Sequence, residues 1–181
     1  MKDVVGRLFI VLLSSTAFGC AAAHAQSSKH YTHASPAFSL DYPAGYTLNE
    51  TYTDYRFGPA NRIHGVALTV PVSLATNSNL SVNSYVSVEW LDGTACTIDQ
   101  FLQNASPPTK VSDRGVEYQK ATSSSAGAGN FYDETVFLKG CLVVRYFVHT
   151  LNFSGFPPGV VKEFDRAALM ASFDAIRRSL K

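Results

Sequence analysis

Two adjacent runs constrain this chain more than any other feature: "NFYDETVFL", residues 130–138, and "CLVVRYFVHT", residues 141–150, separated by Lys139-Gly140. Both alternate in polarity and are rich in Val, Phe and Tyr, the pattern of paired strands rather than of a helix. With Lys139-Gly140 as a two-residue turn, Leu138 faces Cys141, Val136 faces Val143, Glu134 faces Arg145 and Tyr132 faces Phe147. Alternation then sorts the side chains onto two faces. Phe131, Thr135, Phe137, Leu142, Val144, Tyr146 and Val148 make an apolar core face. Tyr132, Glu134, Arg145, Phe147 and His149 make a mixed face, and these five are the candidate ligand-binding residues.

That mixed face has two readings. In the first, Glu134 and Arg145 form a cross-strand ion pair contributing about 0.2–1 kcal/mol, flanked by packed aromatics. In the second, it is an aromatic-lined pocket where Arg145 grips a carboxylate or phosphate and His149 or Glu134 handles a proton. The structural pair is preferred, because no second catalytic element is visible in the sequence. No catalytic residue is therefore assigned.

The rest of the chain supplies partners for this hairpin. "FSLDYPAGYTL" reads as a strand with Phe38, Leu40 and Tyr42 on one face, closed by a turn at Pro43 to Gly45. "TYTDYRFGP" alternates and stops at Gly58-Pro59, whereas "IHGVALTVP" is nearly continuous apolar and belongs inside a sheet. "SLATNSNLSVNS" is a loop, and "YVSVEWL" a strand with Val86, Val88 and Trp90 together. Thr97 with Gln100 suggests a capping box opening a short helix that buries Phe101 and Leu102 and ends at Pro107-Pro108. "GVEYQKAT" is one more strand. A helix is expected near 160–180, with Leu169, Phe173, Ile176 and Leu180 on one stripe. Asp165 breaks that pattern and is read as the cap of a second helical start.

"SSSAGAGNFYDE", residues 123–134, resembles a phosphate cradle at first sight. A phosphate loop, however, joins a strand to a helix and carries Lys-Ser or Lys-Thr after its glycines. Here the segment joins two strands and Asn130-Phe131 follows. Gly127 and Gly129 are read as turn and close-approach residues.

The opening "MKDVVGRLFIVLLSSTAFGCAAAHAQ" places Lys2 and Arg7 before a short apolar stretch that ends in Ala23-His24-Ala25. This is the form of a secretory signal peptide, residues 1–25. The apolar stretch is short of the ~20 residues needed to span a bilayer, and no transmembrane segment is expected elsewhere. "AFGC" offers a rival lipoprotein reading in which Cys20 is acylated. Residues 26–35 are read as a flexible N-terminal segment and residues 36–181 as a single α+β domain. The expected location is the periplasm or the exterior.

Of 15 Lys and Arg and 14 Asp and Glu, Lys2, Arg7 and Asp3 lie in the leader, leaving 13 basic and 13 acidic residues. That balance lacks the basic stripe a nucleic-acid partner requires. Two cysteines remain after the leader, Cys96 and Cys141, and an even pair in an exported chain is read as a disulfide. Closing that loop is worth about 4 kcal/mol in the chain-entropy model. His30 and His33 in "HYTH" make a poor metal site, and His64 on its apolar strand reads as a hydrogen-bonded core histidine. No metal or cofactor is expected. Nucleophile elbows and zinc-protease helices are missing from the sequence. Sequons occur at Asn49, Asn79, Asn104 and Asn152.

"FSLDYPAGYTL" at the start, a strand meander, and "FDAIRRSL" at the end resemble the PsbP-like family of exported proteins. "GNFYDETVF", "CLVVRYFVHT" and "PPGVVKEFDRAAL" are similar to uncharacterised exported alphaproteobacterial proteins. The resemblance implies an antiparallel sheet meander flanked by helices in a PsbP-like sandwich, with a binding or assembly role and no catalysis. It carries over no ligand residue. The expected function is thus a periplasmic non-catalytic module for a partner protein or small ligand. A cell-envelope hydrolase using Glu134, Arg145 and His149, and an inhibitor or immunity-type protein, stand as alternatives.

Overall fold

The computed structural model describes residues 27–92 and 95–181; the expected leader and Cys20 lie outside the described residues. The strands are β1 (Ser28–Ala34), β2 (Ala37–Pro43), β3 (Thr47–Asp54), β4 (Ile63–Thr69), β5 (Tyr85–Trp90), β6 (Thr109–Asp113), β7 (Val116–Gly127), β8 (Asn130–Lys139) and β9 (Leu142–Leu151). A single-turn helix, α1 (Val72–Ala75), and one longer helix, α2 (Arg166–Ser179), complete the regular structure of the described residues apart from short 3-10 turns. Seven strands form one antiparallel sheet in the order β3-β4-β5-β9-β8-β7-β6, and β1 pairs with β2 as a separate hairpin. The fold is therefore sheet-dominated, with less helix than expected.

The first face of the sheet is its main core. Val66, Leu68, Val86, Val88, Phe137, Val144, Tyr146 and Val148 project from it, and Phe38, Leu40 and Tyr42 of β2 pack on them beside Leu169, Phe173 and Ile176 of α2. Fully burying a side chain such as Phe173 stabilises the fold by about 1.5–3 kcal/mol. The helix begins at Arg166 because Asp165 is extended there and its carboxylate accepts the Ala168 N–H at 2.9 Å. The residues before Asp165 do not form a preceding helical segment. At the other end, Arg177 is buried, bonds the Tyr146 hydroxyl at 2.8 Å, and pairs with Asp113 of β6 at 2.5 Å. A cation in a last helical turn is favourable, and here it fastens α2 to the sheet.

The second face is only half covered. Ile98, Phe101 and Leu102 sit on Ile63, Ala121, Val136, Leu138 and Val143. The segment carrying them is one 3-10 turn, Ile98–Gln100, rather than the expected short helix; Thr97 N–H donates to Gln100 Oε1 at 2.8 Å. The Cys96–Cys141 disulfide, with Cα atoms 4.9 Å apart, ties this segment to the turn before β9.

Three further expectations change. Residues 28–34, read as flexible, are β1, because each residue finds a ladder partner on β2 although its sequence is polar. The β8–β9 turn is Gly140-Cys141, so Val136 faces Arg145, Glu134 faces Phe147 and Tyr132 faces His149. This is a two-residue displacement of the expected register, which leaves every side chain on its expected face. Finally, β7 runs through "SSSAG" to Gly127, and only Ala128 (φ 49°) and Gly129 (φ 80°) make the turn.

Candidate functional site

The five candidate residues lie on the second face, where the structure divides them into a buried charge network and a half-exposed aromatic row. Arg145 sits on β9 between Val136 of β8 and Ser87 of β5. Its side chain is fully buried, as is that of Glu89 two residues along β5. Nε donates to Glu89 Oε1 at 2.8 Å and Nη2 to Oε2 at 2.9 Å, a two-point pair. Nη2 also donates to the Phe101 carbonyl at 2.6 Å, and Nη1 to Glu134 Oε2. Phe101, itself buried, thus accepts one of the guanidinium hydrogens through its backbone carbonyl.

The network continues outward. Arg56 Nη1 donates to both Glu134 oxygens, at 2.9 and 2.8 Å, and its Nε reaches Asp54 at 2.5 Å. Ser87 Oγ donates to Glu89 Oε1 at 2.6 Å. Among the described residues, no buried side-chain nitrogen or oxygen lacks a partner, the condition under which buried charges are tolerated. Burial by itself pulls the Arg145 pKa down; the Glu89 charge and hydrogen bonds, with the Glu134 charge, outweigh it and hold the guanidinium well above its ordinary value. The Arg145 cation is permanently charged, commits four of its five N–H donors to these partners, and has no donor facing solvent.

Beside this network runs a row of rings. Tyr52 and Tyr85 share a hydroxyl–hydroxyl hydrogen bond at 3.0 Å. Tyr85 stacks on Phe147 at 4.8 Å, Phe147 lies 6.0 Å from Tyr132, and Tyr132 stacks on His149 at 4.7 Å. Gly65 makes room for the first of these: a Cβ there would meet Tyr52 Cδ1 and the Val88 carbonyl, each at 2.9 Å. Burial, then the Glu89 charge, pushes the Tyr85 hydroxyl up to about 12, so it remains a neutral donor and acceptor. Burial moves His149 the other way, lowering its pKa, and its Nε2 lies 2.7 Å from Asn130 Oδ1. All five rings are partly exposed, so this half of the face offers apolar edges with hydroxyl and imidazole groups among them.

The sequence reading brings together Glu134 with Arg145, and Tyr132 with Phe147 and His149. It misses Glu89, Arg56, Asp54, Tyr52 and Tyr85. The available signal was a charge in the middle of each of two apolar strands, Glu89 in "YVSVEWL" and Arg145 in "CLVVRYFVHT". Opposite charges at such positions require a partner when both strands are buried.

The remaining singled-out residues lie elsewhere. His30 pairs with Asp41 at 2.6 Å on the exposed face of the β1–β2 hairpin. His33 lies 4.5 Å from the Trp90 ring and is fixed by a 3.0 Å bond between Nδ1 and the Pro36 carbonyl. His64 is not a hydrogen-bonded core residue: it is partly exposed, with its ring 6.4 Å from Trp90. Among the described residues no group of three His, Cys, Asp or Glu is placed to hold a metal ion. Nor is any helix among them long and apolar enough to cross a membrane. The Asn79 sequon is buried, its Oδ1 accepting the Phe164 N–H at 3.0 Å.

The chain matches no family model and no curated protein. Among solved structures it is similar to the solution structure of cyanobacterial PsbP (CyanoP) from Synechocystis sp. PCC 6803, with 10% identity over 93% of this chain and 98% of that one, at a TM-score of 0.44.

Proposed function

We propose that the protein is an exported, non-catalytic binding module whose partner or ligand meets the uncovered half of the second face, at Tyr132, Phe147 and His149 beside Tyr85. One observation carries this reading: the charges that chemistry would need are consumed by each other. Arg145 is fully buried and bonded to Glu89 and the Phe101 carbonyl, and Glu134 is held by both Arg145 and Arg56. The hydrolase alternative would require Glu134 to leave two guanidinium groups. The aromatic row, by contrast, keeps accessible apolar edges with a hydroxyl and an imidazole among them, the composition of recognition surfaces. Export is supported by the leader in the sequence and by the Cys96–Cys141 bridge, which persists in oxidising compartments.

The test is a native mass spectrum of the protein gently isolated from its own cell envelope, compared with its denatured mass. Mass retained only in the native spectrum, and lost in a folded Tyr132→Ala/His149→Ala variant, supports the reading. Retained mass that survives the double substitution places binding elsewhere. A stoichiometric protein partner in that spectrum would favour the inhibitor form of the same role.

A further inference from the structure

The far edge of the sheet carries a short, open ladder with an unusual composition. β7 pairs with β8 without a register break from Gln119 to Gly127, but β6 covers β7 only from Val116 to Lys120. Beyond that, Ser106 N–H donates to the Thr122 carbonyl at 2.7 Å, and the Thr122 N–H donates to Ser106 Oγ at 2.9 Å. The backbone groups of Thr122 therefore point away from β8. Because the ladder alternates with period two, those of Ser124 and Ala126 point the same way. Residues 124–127 are exposed, and space beyond Gly127 and Gly129 is open.

Proteins ordinarily blunt such edges with charge, proline or a bulge. The other two edges of this sheet follow that rule. β3 carries Glu50 and a register shift between Asn49 and Tyr52, and β6 carries Lys110 and Asp113. The stretch from Ala121 to Gly129 has no charge, no proline and no side chain larger than threonine. Small uncharged side chains let a second backbone approach on both faces.

We propose that this edge is an interface between two copies of the chain, paired antiparallel about a two-fold axis at Ser125. The geometry is self-complementary. Ser124 falls opposite Ala126 of the second copy and Ala126 opposite its Ser124, so the two pairs exchange four backbone hydrogen bonds. Ser125 meets its own counterpart, and Ser123 meets Gly127. No like charges are opposed, which is what selects a second copy over a charged partner strand. The two sheets become one continuous sheet. Next to Ala126 on β8 stands Phe131, 44% exposed, which small Ala126 cannot shield and which gains cover from the incoming strand. Four hydrogen bonds between small residues fall at the low end of interface size, so the dimer is weak and concentration-dependent.

The experiment is sedimentation velocity on the mature, disulfide-bonded protein over a wide concentration range, with two variants. Ala126→Pro removes an outward N–H while leaving the β7–β8 ladder intact, since proline is tolerated where the N–H faces solvent. Ser125→Lys places two like charges on the axis. The expected result is a reversible monomer–dimer equilibrium that weakens by at least about tenfold in each variant, with the circular-dichroism spectrum unchanged. Should Ala126→Pro misfold, Ser125→Lys decides alone. A wild-type protein that stays monomeric at the highest attainable concentration overturns the proposal. So does a dimer that neither variant weakens.

Discussion

Arg145 and Glu89, 56 positions apart in sequence, meet as a two-point ion pair in which neither side chain reaches solvent. Taking two charges out of water is costly, and only good geometry with further hydrogen bonds offsets it. Ser87, Phe101 and Glu134 supply those bonds. Removing one partner is therefore far worse than removing both. Glu89→Ala is expected to cost about 3–5 kcal/mol in urea unfolding, leaving Arg145 buried beside a vacancy. Glu89→Met combined with Arg145→Met should recover most of that loss, because Arg56 still compensates Glu134. A double variant as unstable as the single one would show that the pair stabilises the fold beyond mutual compensation.

Gly65 marks the other tight point on this face. Its missing Cβ leaves room for the Tyr52 ring and for the Val88 carbonyl, and the carbonyl belongs to a central strand that cannot yield. Gly65→Ala should destabilise by about 1–3 kcal/mol, as overpacking does, and disturb the Tyr52–Tyr85 hydrogen bond. Chemical denaturation read beside tyrosine fluorescence checks both effects; an unchanged midpoint would show that the sheet gives way at no cost.

The β7–β8 turn is expected to be improvable. Ala128 holds φ 49° ahead of Gly129 at φ 80°, a left-handed pair that favours Asn-Gly in two-residue hairpins. An L-residue with a Cβ pays roughly 1–2 kcal/mol in that region, and asparagine pays less. Ala128→Asn should raise the thermal midpoint by about 2–4 °C for each kcal/mol recovered. No rise would mean that the turn is already relaxed.

Stability should fall in acid in two stages. Burial lowers the His149 pKa in the folded protein, so the unfolded chain takes up that proton first as pH drops. Its contribution is complete above the ordinary histidine value of about 6.5 and declines as pH falls through that value toward the lower folded one. Asp113 acts in the same direction further down, because hydrogen bonds from Arg178 and Arg177 lower its pKa. Its contribution is present above the ordinary aspartate range and is lost as pH falls through the depressed folded value. Urea midpoints measured against pH should show both stages, and His149→Asn should remove only the upper one. An upper stage that survives the substitution would assign it to another group.

Much of this architecture was legible in the chain, and the reason is period. Alternation in "NFYDETVFL" and "CLVVRYFVHT" fixed which side chains share a face, and displacing the register by two residues altered none of those assignments. The contact between Glu134 and Arg145 survived the displacement because an arginine is long enough to reach a diagonal neighbour. The apolar stripe of α2 and the cap at Asp165 are likewise local signals. β1 was not legible: "SKHYTHA" has no apolar face of its own and becomes a strand only because β2 offers it a ladder.

The division follows from the range of the forces involved. Steric alternation, caps and turns act over a few residues, so the sequence carries them in plain order, and they determined most of the strands, the faces of the β8–β9 hairpin and the closing helix. Which strand lies beside β9 depends on the burial of whole surfaces. That tertiary choice brought Glu89 from β5 and Arg56 from beyond β3 to Arg145 and Glu134, turned a two-residue pair into a sealed network, and left the aromatic half of the face open.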